Sequence, residues 1–206
     1  MKEIKLEKSE KMICYTIGHS NHSFEQFLQL LNKYDIKYLI DVRSVPYSKY
    51  QKQFGKENIS GLLSIKNITY EYLGDFVGGK SLRFHNNSEK PPTLKELRNK
   101  QKFQEGINKI IDIIKCGNKV VLMCSEKDPL SCHRFLLISY CLQEKGIDVI
   151  HILHDGKRKD NLELEDELRP DPAQSTLFPE SKENLDELYE KQALKVINKY
   201  KGNDES

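Results

Sequence analysis

Cys124, Glu126, Cys132, His133 and Arg134 stand within one stretch of eleven residues. Two thiols, an imidazole, a carboxylate and a guanidinium at that density exceed what a connecting turn needs, and three kinds of chemistry fit them. The first is an anion or phosphate pocket. The unpaired N–H groups of a helix start favour negative charge, and Arg134, joined by Arg43 from elsewhere in the chain, adds a fixed bidentate fork. The second is nucleophilic catalysis by Cys124 or Cys132, with the thiol pKa lowered by a histidine or a helix start. The third is a metal held by Cys124, Cys132 and His133. Spacing speaks against it, because adjacent Cys and His side chains do not easily reach one ion and the pattern is not a two-residue knuckle. No metal or other cofactor is therefore expected. Glu126 is a general base or a partner for Arg134. The plain alternative for either thiol is a small buried apolar residue.

Several elements must position these groups. Lys119 to Met123 reads as a buried strand leading into Cys124, and residues from about 131 to 145 read as a helix that buries Leu136, Leu137, Tyr140 and Cys141 before Gly146 ends it. Upstream, Met12 to Ile17 and Tyr38 to Val42 are two more apolar strands. Between them Ser23 caps a helix with Gln26 in the reciprocal position. Residues 56–66 form a short helix, and Ile68 to Leu73 a third strand. Gly74 to Lys80 reads as a glycine-bearing loop. A helical pattern begins at Thr93 and recurs through Ile107, Ile110, Ile111 and Ile114, and Asp148 to Leu153 is a fifth strand. Strands alternating with helices predict an α/β fold: three layers, a mostly parallel sheet with helices on both faces, and a C-terminal extended tail and helix.

In such a sheet ligands bind beyond the carboxyl ends of the strands. The predicted ends carry His19, Ser20 and Asn21, then Asp41, Arg43 and Ser44, then Gly78, Gly79 and Lys80, then Cys124 and Glu126, then His154 and Asp155. A parallel topology would place them on one rim. Catalytic roles fall to Cys124, Glu126, His19 and Cys132. Substrate or anion contacts fall to Ser20, Asn21, Arg43, Ser44, Gly78, Gly79, His133 and Arg134. Asp41 can hold Arg43 in an ion pair, and Tyr47 and Tyr50 can stack on a base or simply pack. His22 reads as a surface residue, His151 as a structural one inside its strand, and Lys157-Arg158-Lys159 as a solvated basic run.

The chain has 206 residues and a net charge of +2, so binding to nucleic acid would need a local patch. Its five cysteines follow no secreted-scaffold spacing, no signal peptide is visible, and no apolar run has the roughly 20 residues of a membrane span. A cytoplasmic protein with reduced thiols is expected. Residues 1–11 read as a flexible N-terminus, 12–156 as the α/β domain, and 157–206 as a C-terminal extension whose last helix carries an apolar stripe from Leu185 to Tyr200.

Four blocks resemble the domain-of-unknown-function family 488: Tyr15-Thr16-Ile17-Gly18-His19-Ser20-Asn21, Ile40-Asp41-Val42-Arg43-Ser44-Val45-Pro46-Tyr47-Ser48, Met123-Cys124-Ser125-Glu126-Lys127-Asp128-Pro129, and Cys132-His133-Arg134. The glycines of Leu73-Gly74 and Gly78-Gly79, and Phe103-Gln104-Glu105-Gly106, fit as well. The likeness covers about residues 12–155, and the family's Cys-Ala-Glu block stands here as Cys124-Ser125-Glu126. It implies a compact α/β domain and supplies no activity. A looser likeness joins Asp41-Val42-Arg43 and the strand-Cys-loop-Arg arrangement to rhodanese-type domains. Cys124 and Arg134 are too far apart for the compact rhodanese loop, so sulfur transfer is not carried over.

In the tail, Gln174-Ser175-Thr176-Leu177-Phe178 resembles the bacterial sliding-clamp-binding peptide, with Ser175 in place of the usual Leu. Gln174, Leu177 and Phe178 would fill the clamp pockets, and Pro170, Pro172 and Pro179 would keep the segment extended. Together these features predict an enzyme of nucleic acid or nucleotide metabolism, of a DNA-repair type, with a phosphate pocket at the strand ends. The alternatives are a non-catalytic nucleotide- or anion-binding module and a cysteine-dependent, rhodanese-like transferase.

Overall fold

The structure, a computed structural model, describes residues 11–83, 92–169 and 184–204. Six strands form one sheet in the order β3-β2-β4-β1-β5-β6: β1 (Ile13–Gly18), β2 (Tyr38–Asp41), β3 (Thr69–Tyr72), β4 (Val120–Cys124), β5 (Asp148–Ile152) and β6 (Arg158–Asp160). The first five run parallel, and β6 pairs antiparallel with β5 at the edge. The fold is therefore α/β with a mostly parallel sheet. The central strands are apolar on both faces. Cys14, Ile40, Val120, Leu122 and Val149 face one cluster, while Tyr15, Ile17, Leu39, Val121, Met123, Ile150 and Ile152 face the other. This alternation with period two is what a sheet covered on both sides requires, and it is compatible with the expected layering.

The helices supply those covers. α1 (Phe24–Lys33) is opened by the Ser23–Gln26 capping box, and α2 (Lys56–Ser64) follows a 3-10 turn at Lys52–Phe54. Phe27 and Leu31 of α1 and Ile59 and Leu63 of α2 are fully buried in the second cluster. Side chains of this kind contribute roughly 1.5–3 kcal/mol each on burial. The first cluster is covered by α5 (Leu94–Arg98), capped by Thr93 with Glu96, and by α6 (Gln101–Lys115).

Two expectations need correction. The stretch after β3 is not an open loop: it folds into two single-turn helices, α3 (Gly74–Val77) and α4 (Lys80–Arg83). Glycine permits the close approach of this segment to the chain after β2, since a Cβ on Gly74 would stand 1.9 Å from the Arg43 carbonyl oxygen. The expected helix from 131 to 145 is broken. A 3-10 turn at Pro129–Ser131 leads to extended Cys132, and only then does a π-helical segment, Arg134–Ser139, run into α7 (Tyr140–Glu144). Within the basic run Lys157-Arg158-Lys159, Arg158 and Lys159 lie in β6, where pairing needs only backbone groups and tolerates polar side chains.

The sheet thus continues past residue 156; α8 (Asn161–Asp166) packs against β5 and β6, and α9 (Leu185–Asp204) against α4, α5 and the Pro129–Ser131 turn. Tyr189 of α9 is fully buried and stacks on Phe135 with ring centroids 4.8 Å apart. Arg98 ties α5 to both neighbours. Its guanidinium lies 3.4 Å from the Tyr140 ring centroid, donates to the Leu136 carbonyl at 2.8 Å and meets Asp186 at 3.1 Å. Lys11, the one described residue of the expected flexible N-terminus, pairs with Asp148. Gln174, Leu177 and Phe178 lie outside the described residues.

Candidate functional site

The register puts Gly18, Cys124 and Asp41 at the carboxyl ends of neighbouring strands: Gly18 pairs with Cys124, and Asp41 with Met123. The chain then turns back over the sheet edge. His19 N–H donates to the Cys124 carbonyl at 2.9 Å and Ser20 N–H to the Ser125 carbonyl at 3.0 Å. Gly18 permits this close return, because a Cβ there would stand 1.9 Å from the Glu126 carbonyl oxygen.

Beyond that loop Asp128 caps the 3-10 turn, accepting from Leu130 N–H at 3.0 Å. Cys132 is extended, with φ −131° and ψ 142°, whereas His133 is already helical, with φ −59° and ψ −22°. This change of backbone between neighbours turns both side chains toward Cys124. Adjacent Cys and His side chains are not expected to reach one point easily, yet these two neighbours converge. Cys124 Sγ and Cys132 Sγ each lie 3.7 Å from His133 Nδ1, and the donor atoms of all three residues fall within 4.8 Å of one another. The far nitrogen, Nε2, is 3.0 Å from the Val42 carbonyl oxygen. A carbonyl only accepts, so Nε2 carries a proton and Nδ1 faces the sulfurs.

The two thiols titrate as a pair. A hydrogen bond from Cys132 holds the Cys124 thiol well below its ordinary value. His133 and Arg134 act in the same direction, and burial opposes them. Burial, and the Cys124 sulfur beside it, push the Cys132 thiol up. Of the two, Cys124 is the sulfur whose deprotonation the surroundings favour.

The cluster forms the floor of a cavity of about 230 Å³ lined by Arg43, Ser44, Val45, Gly79, Lys80, Leu82, Cys124, Ser125, Glu126, Ser131, Cys132, His133 and Val196. Eight of the residues singled out from sequence converge there: Arg43, Ser44, Gly79, Lys80, Cys124, Glu126, Cys132 and His133. Gly79 is a packing contact for the His133 ring, since a Cβ would approach it to 2.7 Å. Ser44 Oγ accepts from Lys80 N–H at 2.8 Å, tying the loop after β2 to the start of α4.

Other candidates stand elsewhere. His19 is buried and stacks on Phe54. Its Nδ1–H donates to the Ser20 carbonyl at 3.0 Å, and its Nε2 accepts from Arg43 Nη1 at 3.2 Å. Burial first, and then the Arg43 charge, lower its pKa to about 4, which makes it a neutral brace. Ser20, with a left-handed φ of 45°, and exposed Asn21 lie outside the cavity wall, and Gly78 lines a neighbouring hollow. Arg134 is fully buried. It donates from Nη1 to the Glu126 carbonyl at 2.6 Å and from Nη2 to the Lys127 carbonyl at 3.2 Å, so it holds the loop and leaves the cavity to others. Arg43 is largely committed as well. Nε and Nη2 bind Asp41 at 2.9 and 2.6 Å, and Nη2 also reaches the Phe54 carbonyl at 2.7 Å. The expected phosphate fork of two arginines is therefore not built.

Histidine 22, expected at the surface, is buried and stacks on His154 at 4.0 Å. Sequence reasoning did not include Val45, Leu82, Ser131 and Val196 in the site. Val196 arrives from α9, and no local pattern could have announced it.

Residues 23–141 match the model of a protein family described as a domain of unknown function, DUF488. No curated protein and no solved structure matches the chain.

Proposed function

That match spans more than half of the chain, which therefore belongs to the DUF488 family, and from the residues around the cleft we propose that this family member is an enzyme of nucleic acid or nucleotide metabolism with its reaction centre in the Cys124–Cys132–His133 cleft. One observation carries the reading. Segment 45–56 leaves the cleft wall at Val45 and contains Lys49, Lys52 and Lys56, all exposed, with no acidic residue. Tyr47 and Tyr50 project from it, 68% and 82% exposed. Had these tyrosines served the core they would be buried. Exposed rings among exposed lysines are what single-stranded nucleic acid uses: bases stack on the rings and phosphates meet the ammonium groups. A nucleotide lying along this segment would present its reacting end to the thiols, with Glu126 and Lys80 on the cleft wall.

A fluorescent single-stranded oligonucleotide read by anisotropy tests the reading. The wild type should bind with marked salt dependence, and the double variant Tyr47→Ala, Tyr50→Ala should bind at least about tenfold more weakly, given roughly 1–3 kcal/mol per stacked base. Absence of binding at low salt, or binding indifferent to the tyrosines, would remove nucleic acid as the substrate class. A repair role and a sliding-clamp tether belong to the same proposal. Leu177→Ala with Phe178→Ala should abolish capture by a purified bacterial clamp if Gln174, Leu177 and Phe178 make that contact.

Cysteine-dependent group transfer is the second reading, supported by the Cys124 thiol on the cleft floor 3.7 Å from His133 Nδ1. A non-catalytic module would bind the oligonucleotide equally well and be indifferent to Cys124→Ser in any turnover assay.

A further inference from the structure

We propose that Cys124 Sγ, Cys132 Sγ and His133 Nδ1 form a three-ligand site for a zinc-like divalent ion, with the fourth position open to the cleft. Thiolate–imidazole donor sets select borderline-soft ions of this kind. The spacing suits tetrahedral coordination. With zinc–sulfur bonds of about 2.3 Å and zinc–nitrogen bonds of about 2.0–2.1 Å, sulfur and nitrogen ligands stand about 3.6 Å apart. The two sulfur–nitrogen separations here are both 3.7 Å. A hydrogen bond between a thiol and an imidazole also occurs at this distance, but it does not require two sulfurs on one nitrogen.

Two features around the cluster point the same way. The His133 Nε2–H is fixed by the Val42 carbonyl at 3.0 Å, the outer contact that orients a metal-bound histidine and makes its other nitrogen a better donor. Gly79 lies flat against the same ring, closing the side from which His133 would otherwise swing away. The three ligands are almost wholly buried, yet all three line the cavity, so an ion among them would be reached from the cleft side. Structural zinc sites are closed by four protein ligands, whereas sites that do chemistry keep a position for water or substrate. Glu126 stands on the wall of that opening.

This inference deepens the proposed reaction centre but does not depend on the nucleic acid assignment, and the two are measured separately. The test is titration of reduced full-length apo-protein with cobalt(II), in a Cys116→Ser background that removes the exposed thiol. One equivalent should give intense tetrahedral d–d bands in the visible and thiolate-to-cobalt charge transfer in the near ultraviolet, and zinc should displace it. Cys124→Ser and Cys132→Ser should each lower the charge-transfer intensity and weaken binding by at least about 100-fold. Gly79→Ala, whose Cβ would stand 2.7 Å from His133 Cγ and from the donor Nδ1 itself, should displace that ligand and weaken binding by at least about 10-fold, with the circular dichroism of the folded chain retained.

Only weak octahedral cobalt absorption from the wild type, or binding that survives both cysteine variants, would overturn the site. So would rapid alkylation of Cys124 by iodoacetamide that zinc does not slow, and that result would leave a free thiolate nucleophile. Oligonucleotide binding can stand or fall in each of these cases.

Discussion

Arg134 Nη1 donates to the Glu126 carbonyl oxygen at 2.6 Å from a side chain with no exposed surface. The guanidinium is a strut inside the loop that sets Cys124 and Glu126 at the cleft. Two charge-assisted hydrogen bonds to carbonyls, at roughly 1.5–3 kcal/mol each, give the size of the contribution. Arg134→Ala should therefore lower the unfolding free energy by about 3 kcal/mol or more in urea titration. Oligonucleotide affinity, where the variant is still folded, should change little. A stable variant with lost affinity would return Arg134 to the role of anion ligand.

Gly18 and the Glu126 carbonyl make the opposite kind of contact, one that exists because an atom is absent. A Cβ at residue 18 would stand 1.9 Å from that oxygen, a backbone atom that cannot rotate away, and 3.0 Å from Arg134 Nη1. Gly18→Ala should push the 125–127 loop outward and cost about 1–3 kcal/mol, the usual range for overpacking. The measurement is denaturant unfolding together with cobalt affinity, and both should fall. Unchanged values would mean that the loop does not depend on this approach.

The sequence made the sheet legible and the site only in part. Apolar runs such as Val120 to Met123 identify buried strands by composition alone, and Ser23 with Gln26 or Thr93 with Glu96 identify helix starts by side-chain chemistry. Asp41, two residues before Arg43, was legible as its ion-pair partner, but nothing comparable marks an arginine's backbone partners. Those of Arg134 are the carbonyls of Glu126 and Lys127, and one of Arg43's is the carbonyl of Phe54, and every residue has a carbonyl. An exposed guanidinium and a strut therefore look identical in sequence. The meeting of Cys132 with His133 rests on a backbone change between two neighbours, and Gly78-Gly79 looked like a turn because tight packing against Ser44 and His133 is a tertiary fact.

Buried His151 makes a pH prediction. Its Nδ1 accepts from the Thr16 hydroxyl at 2.7 Å and its Nε2–H donates to Asn161 Oδ1 at 2.8 Å, so the neutral ring is fully satisfied. Burial is the main cause that lowers its pKa to about 3. The unfolded ring, with a pKa near the ordinary 6.5, binds a proton that the folded ring refuses, so the folded state loses stability as pH falls from about 6.5 toward 3. At pH 5 this amounts to about 2 kcal/mol. Glu165, whose pKa is raised by burial, contributes with the opposite sign but is common to both proteins in the comparison. Urea unfolding of the wild type and of His151→Gln at pH 7 and pH 5 should show the wild type losing about 2 kcal/mol more. Parallel losses would mean that His151 is protonated in the folded state.

The last prediction concerns α9, which shapes the cleft from the far end of the chain. Val196 lines the cavity, and Gln192 Nε2 donates to the Leu130 carbonyl at 2.9 Å, beside the turn that leads to Cys132. Tyr189 anchors the helix. Its ring lies between Phe135 and Tyr140, and its hydroxyl donates to Glu165 at 2.9 Å. Removing that ring leaves a cavity and takes away one of the two hydrogen bonds that Glu165 Oε1 accepts, the other coming from Asn161, so Tyr189→Ala should cost about 3–5 kcal/mol, as large aromatic truncations in cores do. Tyr189→Phe, which keeps the ring and drops the hydroxyl with its two hydrogen bonds, to Glu165 and from Asn161, should cost about 1–3 kcal/mol. The two variants separate packing from polarity, and cobalt affinity read alongside stability separates both from the site. If α9 holds the Leu130–Cys132 turn in place, Val196→Ala, which trims the wall without disturbing the anchor, should leave cobalt affinity intact. Tyr189→Ala should then weaken cobalt binding even at temperatures where the chain remains folded. Equal cobalt affinity in all three variants would show that the cluster is assembled by the sheet edge alone.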